Sequence, residues 1–394
     1  MFHHLVCRHA TLVLCCLVGV AAIFLAGCTP RPPYWIGGSP ESPLVSPVAL
    51  TRMCVVLELT DAQRSAAADL HAAYVSQHQQ AARKYADYQQ LAQQVIQREG
   101  QEKDQKVLAQ RDEATVKYAR YADKLADQFL GDFQLLLTDQ QHAKWDAAMR
   151  CLRRTQMLGP IYSEKSADLV VLVDGPPPLV TPAQRRQIAA QLDDWEVAID
   201  VVLQRKAAFI RTGLAENLRV ERENDSAGTQ AQYRRWRAII REERTLTTRS
   251  ARAIAEALPE DVGVSLRRKV HEQTYPGLYE LQGPGETVRK ALALPGLTPS
   301  AKKSLEELLR ETDRERVRMG ELAAAKFEEW ERTASDDELA SRGDTPEVPP
   351  EIVSAYTRLE ERVSKRLGEV LTPEQMQEAG VKPVLKSLPG IDFE

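Results

Sequence analysis

A five-residue pattern recurs along the chain at long, regular intervals. Leu59-Thr60-Asp61-Ala62-Gln63 returns as Leu137-Thr138-Asp139-Gln140-Gln141, 78 residues later. Val180-Thr181-Pro182-Ala183-Gln184 is followed at the same spacing by the degenerate Leu258-Pro259-Glu260-Asp261, and Leu297-Thr298-Pro299-Ser300-Ala301 by Leu371-Thr372-Pro373-Glu374-Gln375 after 74. The three openings lie 121 and 117 residues apart, and Tyr162 and Tyr279 between the pairs repeat the 117. A period of this length marks a repeated structural unit. The motif itself is a helix start. Thr accepts from the N3 amide, Gln at N3 reaches back to the cap's own amide, and the preceding Leu staples onto the first turn. Pro182, Pro299 and Pro373 occupy the first helical position, where proline is best tolerated.

Between each opening and closing cap there is room for one long antiparallel helical hairpin. In the first copy Leu70, Tyr74, Gln77, Ala81, Tyr85, Tyr88, Ala92 and Val95 recur at steps of three and four, which predicts one buried stripe. The chain turns near Gly100, returns from about Glu102 to Leu136, and starts a short closing helix at Thr138 that runs through Trp145 and Cys151. In the second copy Ile188, Leu192, Trp195, Ile199, Val202 and Phe209 form a near-heptad seam with a break at Asp225 to Gly228. In the third, Leu305, Leu309 and Leu322 begin the long helix, and residues 335–350 form a loop. With 20 Gly, 7 Phe and 6% aromatic residues, the chain lacks the β-branched and aromatic runs of strands. The expected fold is all-α: three tandem modules, each a long hairpin plus a short closing helix, at 51–158, 180–282 and 297–394. Linkers fall at 159–179 and 283–296.

The first residues read as an export address. Arg8 precedes an apolar run from Ala10 to Ala26, shorter than the roughly 20 residues of a comfortable membrane span. The run ends in Leu25-Ala26-Gly27-Cys28, which resembles a bacterial lipobox. That resemblance implies cleavage after residue 27 and lipid on the Cys28 sulfur, and Thr29 after the cysteine favours the inner leaflet of the outer membrane. Residues 28–50, with prolines at 30, 32, 33, 40, 43 and 47, read as an extended tether. Cys54 and Cys151 bracket the first copy and form the disulfide candidate in an oxidising compartment; two separate buried thiols are the alternative.

Paired Leu-Thr-x-x-Gln motifs bounding a helical hairpin in an exported chain resemble the Spy/CpxP family of periplasmic proteins. The resemblance covers about 59 to 150 well, 180 to 275 partly and 297 to 380 moderately. It implies polypeptide binding of the kind seen in ATP-independent chaperones or envelope-stress factors, with metal sensing as a lesser possibility. Three copies in place of one, the lipid anchor, and altered motifs at Val180, Leu258 and Ala301 depart from the family pattern.

The formal charge of -4 gives no reason to expect a nucleic-acid partner. Charge is uneven, however, with a net +2 from Thr181 to Gln282 and -7 from Thr298 to Glu394. Tyr233-Arg234-Arg235-Trp236-Arg237 is the strongest basic-aromatic cluster and a candidate binding patch; alternatively Trp236 and Ile240 face the seam while arginines pair with acids such as Glu242 and Glu243. His71 and His78 share a helix face but stand two turns apart, too far to chelate one ion alone, so no metal site is expected. Asp193-Asp194 with Glu196, and Asp336-Asp337-Glu338, are read as solvated acids, since nothing orients a nucleophile or cofactor beside them. The expectation is a non-enzymatic, cofactor-free envelope protein whose partners are the membrane, through Cys28, and envelope proteins or unfolded polypeptides. The rival is a structural or scaffolding lipoprotein.

Overall fold

The computed structural model describes residues 43–99, 105–158, 166–274, 283–334 and 350–381. Among them every regular element is an α-helix. Three long pairs dominate: α2 (Asp61–Glu99) with α3 (Gln105–Gln134), α8 (Ala189–Arg222) with α9 (Ser226–Glu256), and α12 (Pro299–Thr333) with α13 (Pro350–Val370). The expected turn at Gly100 and the loop at 335–349 lie outside the described residues, as does the whole signal segment with Cys28. The second turn falls at Glu223 to Asp225, just ahead of the expected break at Asp225 to Gly228, whose last three residues already belong to α9 (Ser226–Glu256). Asn224 adopts φ 52°, and Asp225 then caps α9 by accepting from Gly228 N–H at 2.9 Å.

The caps form as the motif dictates. Thr60 N–H donates to Gln63 Oε1 at 3.0 Å and Gln63 N–H to Thr60 Oγ1 at 3.3 Å. The same reciprocal box stands at Thr138/Gln141 before α4 (Asp139–His142), at Thr181/Gln184 before α7 (Pro182–Gln187) and at Thr372/Gln375 before α14 (Pro373–Glu378). At Thr298, Ala301 leaves only the threonine half.

The structure also supplies a physical reason for the pairing of the motifs. Gln63 Nε2 donates to Gln141 Oε1 at 2.8 Å, and Gln141 Nε2 donates back to Gln63 Oε1 at 3.0 Å. Gln63 Nε2 also reaches Leu136 O at 2.7 Å, and Gln141 Nε2 reaches Glu58 O at 3.3 Å. Each glutamine thus closes its own helix and clasps the other's, tying the start of the outgoing helix to the end of the returning one. The other copies keep one glutamine box each around this junction and lack the reciprocal clasp. In the second, Val262 stands where Gln141 stood, and Gln187 Nε2 donates to Ala257 O at 2.5 Å, the carbonyl equivalent to Leu136 O. In the third, Gln375 remains and Ala301 has replaced its partner.

The segments read as tether and linkers carry a further short helix in each copy, which corrects the expected boundaries. α1 (Pro47–Val56), α6 (Leu169–Asp174) and α11 (Pro284–Leu292) precede the three openings. α1 packs on α5 (Trp145–Met157), α6 on α10 (Glu260–Thr274), and α11 on α12 and α13. Two of them were hidden because prolines at their starts read as breakers, whereas Pro47 and Pro284 sit at N1; α6 is instead capped by Asp168, which accepts from Val170 and Val171 N–H. The residue just before the motif shows the same chain reversal in two copies: Glu58 has φ 52° and Gly296 has φ 76°. The closing helix of the first copy is split, because Lys144 N–H turns back to Gln141 O and separates α4 from α5.

Neighbouring copies are joined side by side. α3 and α8 run antiparallel, since Asp112 pairs with Arg222 at 2.6 Å while Asp123 meets Arg211 at 3.5 Å. α5 docks on α8 through a bidentate Arg153–Asp200 pair at 2.6 and 2.8 Å and through Arg154–Glu196 at 3.1 Å. α10 carries the third copy through Arg268–Asp313 at 3.6 Å and Arg267–Glu321 at 3.3 Å, and Arg244 of α9 lies 4.8 Å from the Phe327 ring centroid. Three main cores follow, one per copy, around Phe129 and Phe133, around Trp195 and Ile199, and around Leu305 and Leu367.

Two predictions arise here. Gln63→Ala and Gln141→Ala each remove a box and a clasp, for about 1–2 kcal/mol, and a double-mutant cycle in urea gives a coupling of at least ~0.5 kcal/mol; Gln375→Ala loses a cap alone and costs less. His271, 2% exposed on α10, is held down to about 4, first by burial and then by the charges of Arg252 and Arg267. An unfolded imidazole takes up a proton below about 6.5 that the folded one refuses. Stability is therefore full above pH 6.5 and falls on acidification towards pH 4, by up to roughly 3 kcal/mol; His271→Leu flattens the change in urea midpoint between pH 7 and 5.

Candidate functional site

The α2–α3 pair is held by an aromatic ladder. Tyr74 and Phe129 stack at 5.2 Å between centroids, and Tyr85 and Tyr118 at 4.5 Å with ring planes 9° apart. Polar tips find partners inside: Tyr85 Oη pairs with Thr115 Oγ1 at 2.9 Å, and Tyr118 Oη with His78 Nε2 at 3.4 Å. His71 Nε2 donates to Val45 O at 2.8 Å, so that nitrogen carries the proton, while Val45 N–H donates to Tyr74 Oη at 3.2 Å. Burial pushes Tyr74 and Tyr85 up and His78 down from their ordinary values, since each charged form would be stranded away from water. His71 and His78 are therefore part of the packing, and His271 is buried as well; His142 is exposed.

The seam is rotated from the expected stripe. Ala67, His71, Tyr74, His78, Ala82 and Ile96 are buried, whereas Gln77 and Tyr88 face outward and Ala81 is half-buried. The displaced members of the stripe do something else. With Lys84, Lys117 and Tyr121 they line an open groove of about 540 Å³ along the flank of the hairpin, floored by the Tyr85–Tyr118 stack. Tyr88 is 39% and Tyr121 47% exposed, and Leu91, the next step along the helix, is 60% exposed. Sequence reading missed the groove because it counted Tyr85 and Tyr88 as core and did not single out Tyr121. The clue was present in the alternative histidine phase, one position round the helix. Leu322, expected in the third seam, is likewise 48% exposed.

The Tyr233–Arg237 cluster does not form one surface patch. Arg234 and Arg235 are exposed, Tyr233 is half-buried, and Trp236 and Arg237 are buried, with the Arg237 guanidinium 5.4 Å from the Tyr233 ring centroid. Glu242 pairs with Arg205. Glu243 takes Lys206, not an arginine, at 2.8 Å, with both side chains at 0% exposure; Lys206 also donates to Met157 O at 3.2 Å and lies 5.5 Å from the Trp236 ring centroid. A fully enclosed pair of this kind is costly to split and cheap to replace whole. Lys206→Met alone is expected to lose about 3–5 kcal/mol and Lys206→Met with Glu243→Leu most of that loss less, read from urea midpoints.

Cys54 and Cys151 are free and buried, which corrects the expected bridge. Cys54 belongs to the first core with Met53 and Ala148, whereas Cys151 feels the charges of Arg154 on its own helix, of Asp168 and Glu196, and of Arg52 on α1. The thiols occupy different surroundings, and burial raises both. Asp193 and Asp194 are exposed, and Glu196 is engaged by Arg154; Asp336, Asp337 and Glu338 lie outside the described residues. Among the described residues no group of three His, Cys, Asp or Glu is placed to hold a metal, and no helix is long and apolar enough to cross a membrane. Of the expected motif residues, Leu59, Leu137, Leu297 and Leu371 pack into the first and third cores, and the threonines and glutamines cap. No family of proteins, no characterised protein and no solved structure matches the chain.

Proposed function

We propose that the chain is an exported envelope protein, lipid-anchored at Cys28, that holds other polypeptides on its helical surface without ATP. The open tyrosine groove of the first copy carries this reading. A flank that presents Tyr88, Tyr121 and Leu91 to water, with lysine ammoniums and glutamine amides at its rim, suits an extended segment that stacks apolar side chains and hydrogen-bonds its backbone. The apolar surface that such a segment buries there is small, and the ordering costs of association leave a weak and reversible grip. The reading also draws on the Leu-Thr-x-x-Gln motifs and the export signal of the sequence. Outer-membrane attachment belongs to the same proposal.

A scaffolding role is the second reading, and the ion-paired joints between copies favour it, because α3–α8 and α10–α12 are fixed as a spacer would require. Crosslinking in cells separates the two: one abundant partner indicates the scaffold, a diffuse set of clients the holding function.

The test dilutes a denatured, aggregation-prone protein into buffer containing the mature chain. Stoichiometric excess is expected to suppress light scattering by at least half, and Tyr88→Ser with Tyr121→Ser to lose most of that effect while the helical circular dichroism stays unchanged. Scattering unaffected by the wild-type chain would rule the reading out.

A further inference from the structure

The arginines of the second copy divide into two groups. On α8, Arg205, Arg211, Arg219 and Arg222 each hold a carboxylate, and on α10 so do Arg267 and Arg268. On the outward face of α9 they do not. Among the described residues Arg235, Arg241, Arg249 and Arg252 form no ion pair, and Arg235 acts only at a distance on Glu216, a carboxylate that Arg219 already holds. Arg235, Arg249 and Arg252 are exposed and Arg241 is half-buried. At about 100° per residue the four fall within an arc of roughly 120°, opposite the buried Trp236 and Ile240, and from Arg235 to Arg252 the helix rises ~25 Å. Ala238, Thr245 and Ala253, exposed between them, are too small to hold a flat surface away from the guanidiniums. Of the acids on this arc, Glu242 is taken by Arg205, and Glu256 lies beyond the row at the helix end.

We propose that this face of α9 is a membrane-docking surface whose partner is the anionic headgroup layer of a phospholipid bilayer. It is separate from the tyrosine groove and does not depend on the reading of that groove. The chemistry selects the partner. Guanidiniums are planar forks that grip phosphate oxygens in pairs. A straight, rigid row of them on an open helix flank meets a flat array of phosphates, for which no cavity is needed. The aromatic rings of the same stretch point elsewhere: Trp236 is buried, and Tyr233 is half-buried near the Arg237 guanidinium. The arc therefore offers no ring on which a nucleic-acid base could stack, and it exposes no apolar side chain larger than alanine with which to hold a polypeptide. Charge distribution sets the orientation. The chain is net -4 overall and -7 in the third copy, so an anionic bilayer repels most of the molecule and attracts it along α9. Near such a bilayer each arginine is worth roughly fivefold in partitioning, and four together several hundredfold. A lipid on Cys28, as proposed above, holds the chain at the membrane and leaves α9 only the task of orienting it.

The test uses the full mature chain carrying Cys28→Ser, so that no lipid anchors it, and measures co-sedimentation with vesicles of phosphatidylcholine alone or mixed with phosphatidylglycerol. Binding is expected on the mixed vesicles only, and it is expected to vanish near about 1 M salt, where the screening length falls to ~3 Å. Arg249→Ser with Arg252→Ser is expected to weaken binding roughly 25-fold, with the helical circular dichroism unchanged because both side chains are exposed. Lys302→Ser with Lys303→Ser, an equal change of charge at exposed positions of α12, is expected to leave binding nearly as it was. Equal binding to both kinds of vesicle, an arginine variant that binds as well as the wild type, a lysine variant that loses as much as the arginine one, or tighter binding to soluble polyglutamate than to mixed vesicles at equal anionic charge would each overturn the docking surface. Failure of the anchor is read separately, as an absence of metabolic lipid labelling of the wild-type chain in cells, since the vesicle result does not involve Cys28.

Discussion

The reciprocal amide pair between Gln63 and Gln141 is the constraint on which the first hairpin depends. The first helix of this hairpin runs for 39 residues, and the open end of so long a pair would splay without a lock. Each glutamine is already committed to the cap of its own helix, so the clasp adds little further ordering cost. It also fixes where α1 and α5 meet, because the carbonyls of Glu58 and Leu136 are drawn into the same cluster. A charged group could not substitute, since each side chain must donate and accept at once.

The later copies show what happens when the lock is halved. With Val262 in place of one glutamine, the second copy gathers its stability elsewhere: a larger core around Trp195, the enclosed Lys206–Glu243 pair, and charged contacts to both neighbours. The third, with Ala301, leans on α10 and on the guanidinium of Arg316, 4% exposed among Glu272 and the helix ends. The contrast between the second copy, net +2, and the third, net -7, favours the pairs on α10, and the near-neutral total conceals it. Side-by-side packing also decides which faces stay wet. With α8 against one side of α3, the opposite flank of the first hairpin remains open, and there the tyrosines line a groove.

Helix class, cap positions, the three long pairs and the turn at Asn224 were legible in the sequence, because caps and turns are local chemistry and a threonine three residues before a glutamine needs no distant partner to act. The short helices before each opening were not, since isolated helices of six to ten residues are marginal in water and exist only by packing. Nor was the seam's phase. Two stripes one position apart, Tyr74-Gln77-Ala81 and His71-Tyr74-His78, fit the same periodicity, and only the position of α3 and Val45 chose the second.

The sequence alone therefore determined that this protein is helical and where its threonine-capped helices begin. Tertiary structure decided that the motifs clasp one another, that Cys54 and Cys151 face different surroundings, that Trp236 and Arg237 are interior, and that a row of tyrosines is surface. The division has one physical cause. Hydrogen bonds within a turn are set by neighbours in sequence, whereas burial of a side chain is set by whichever distant helix comes to lie against it.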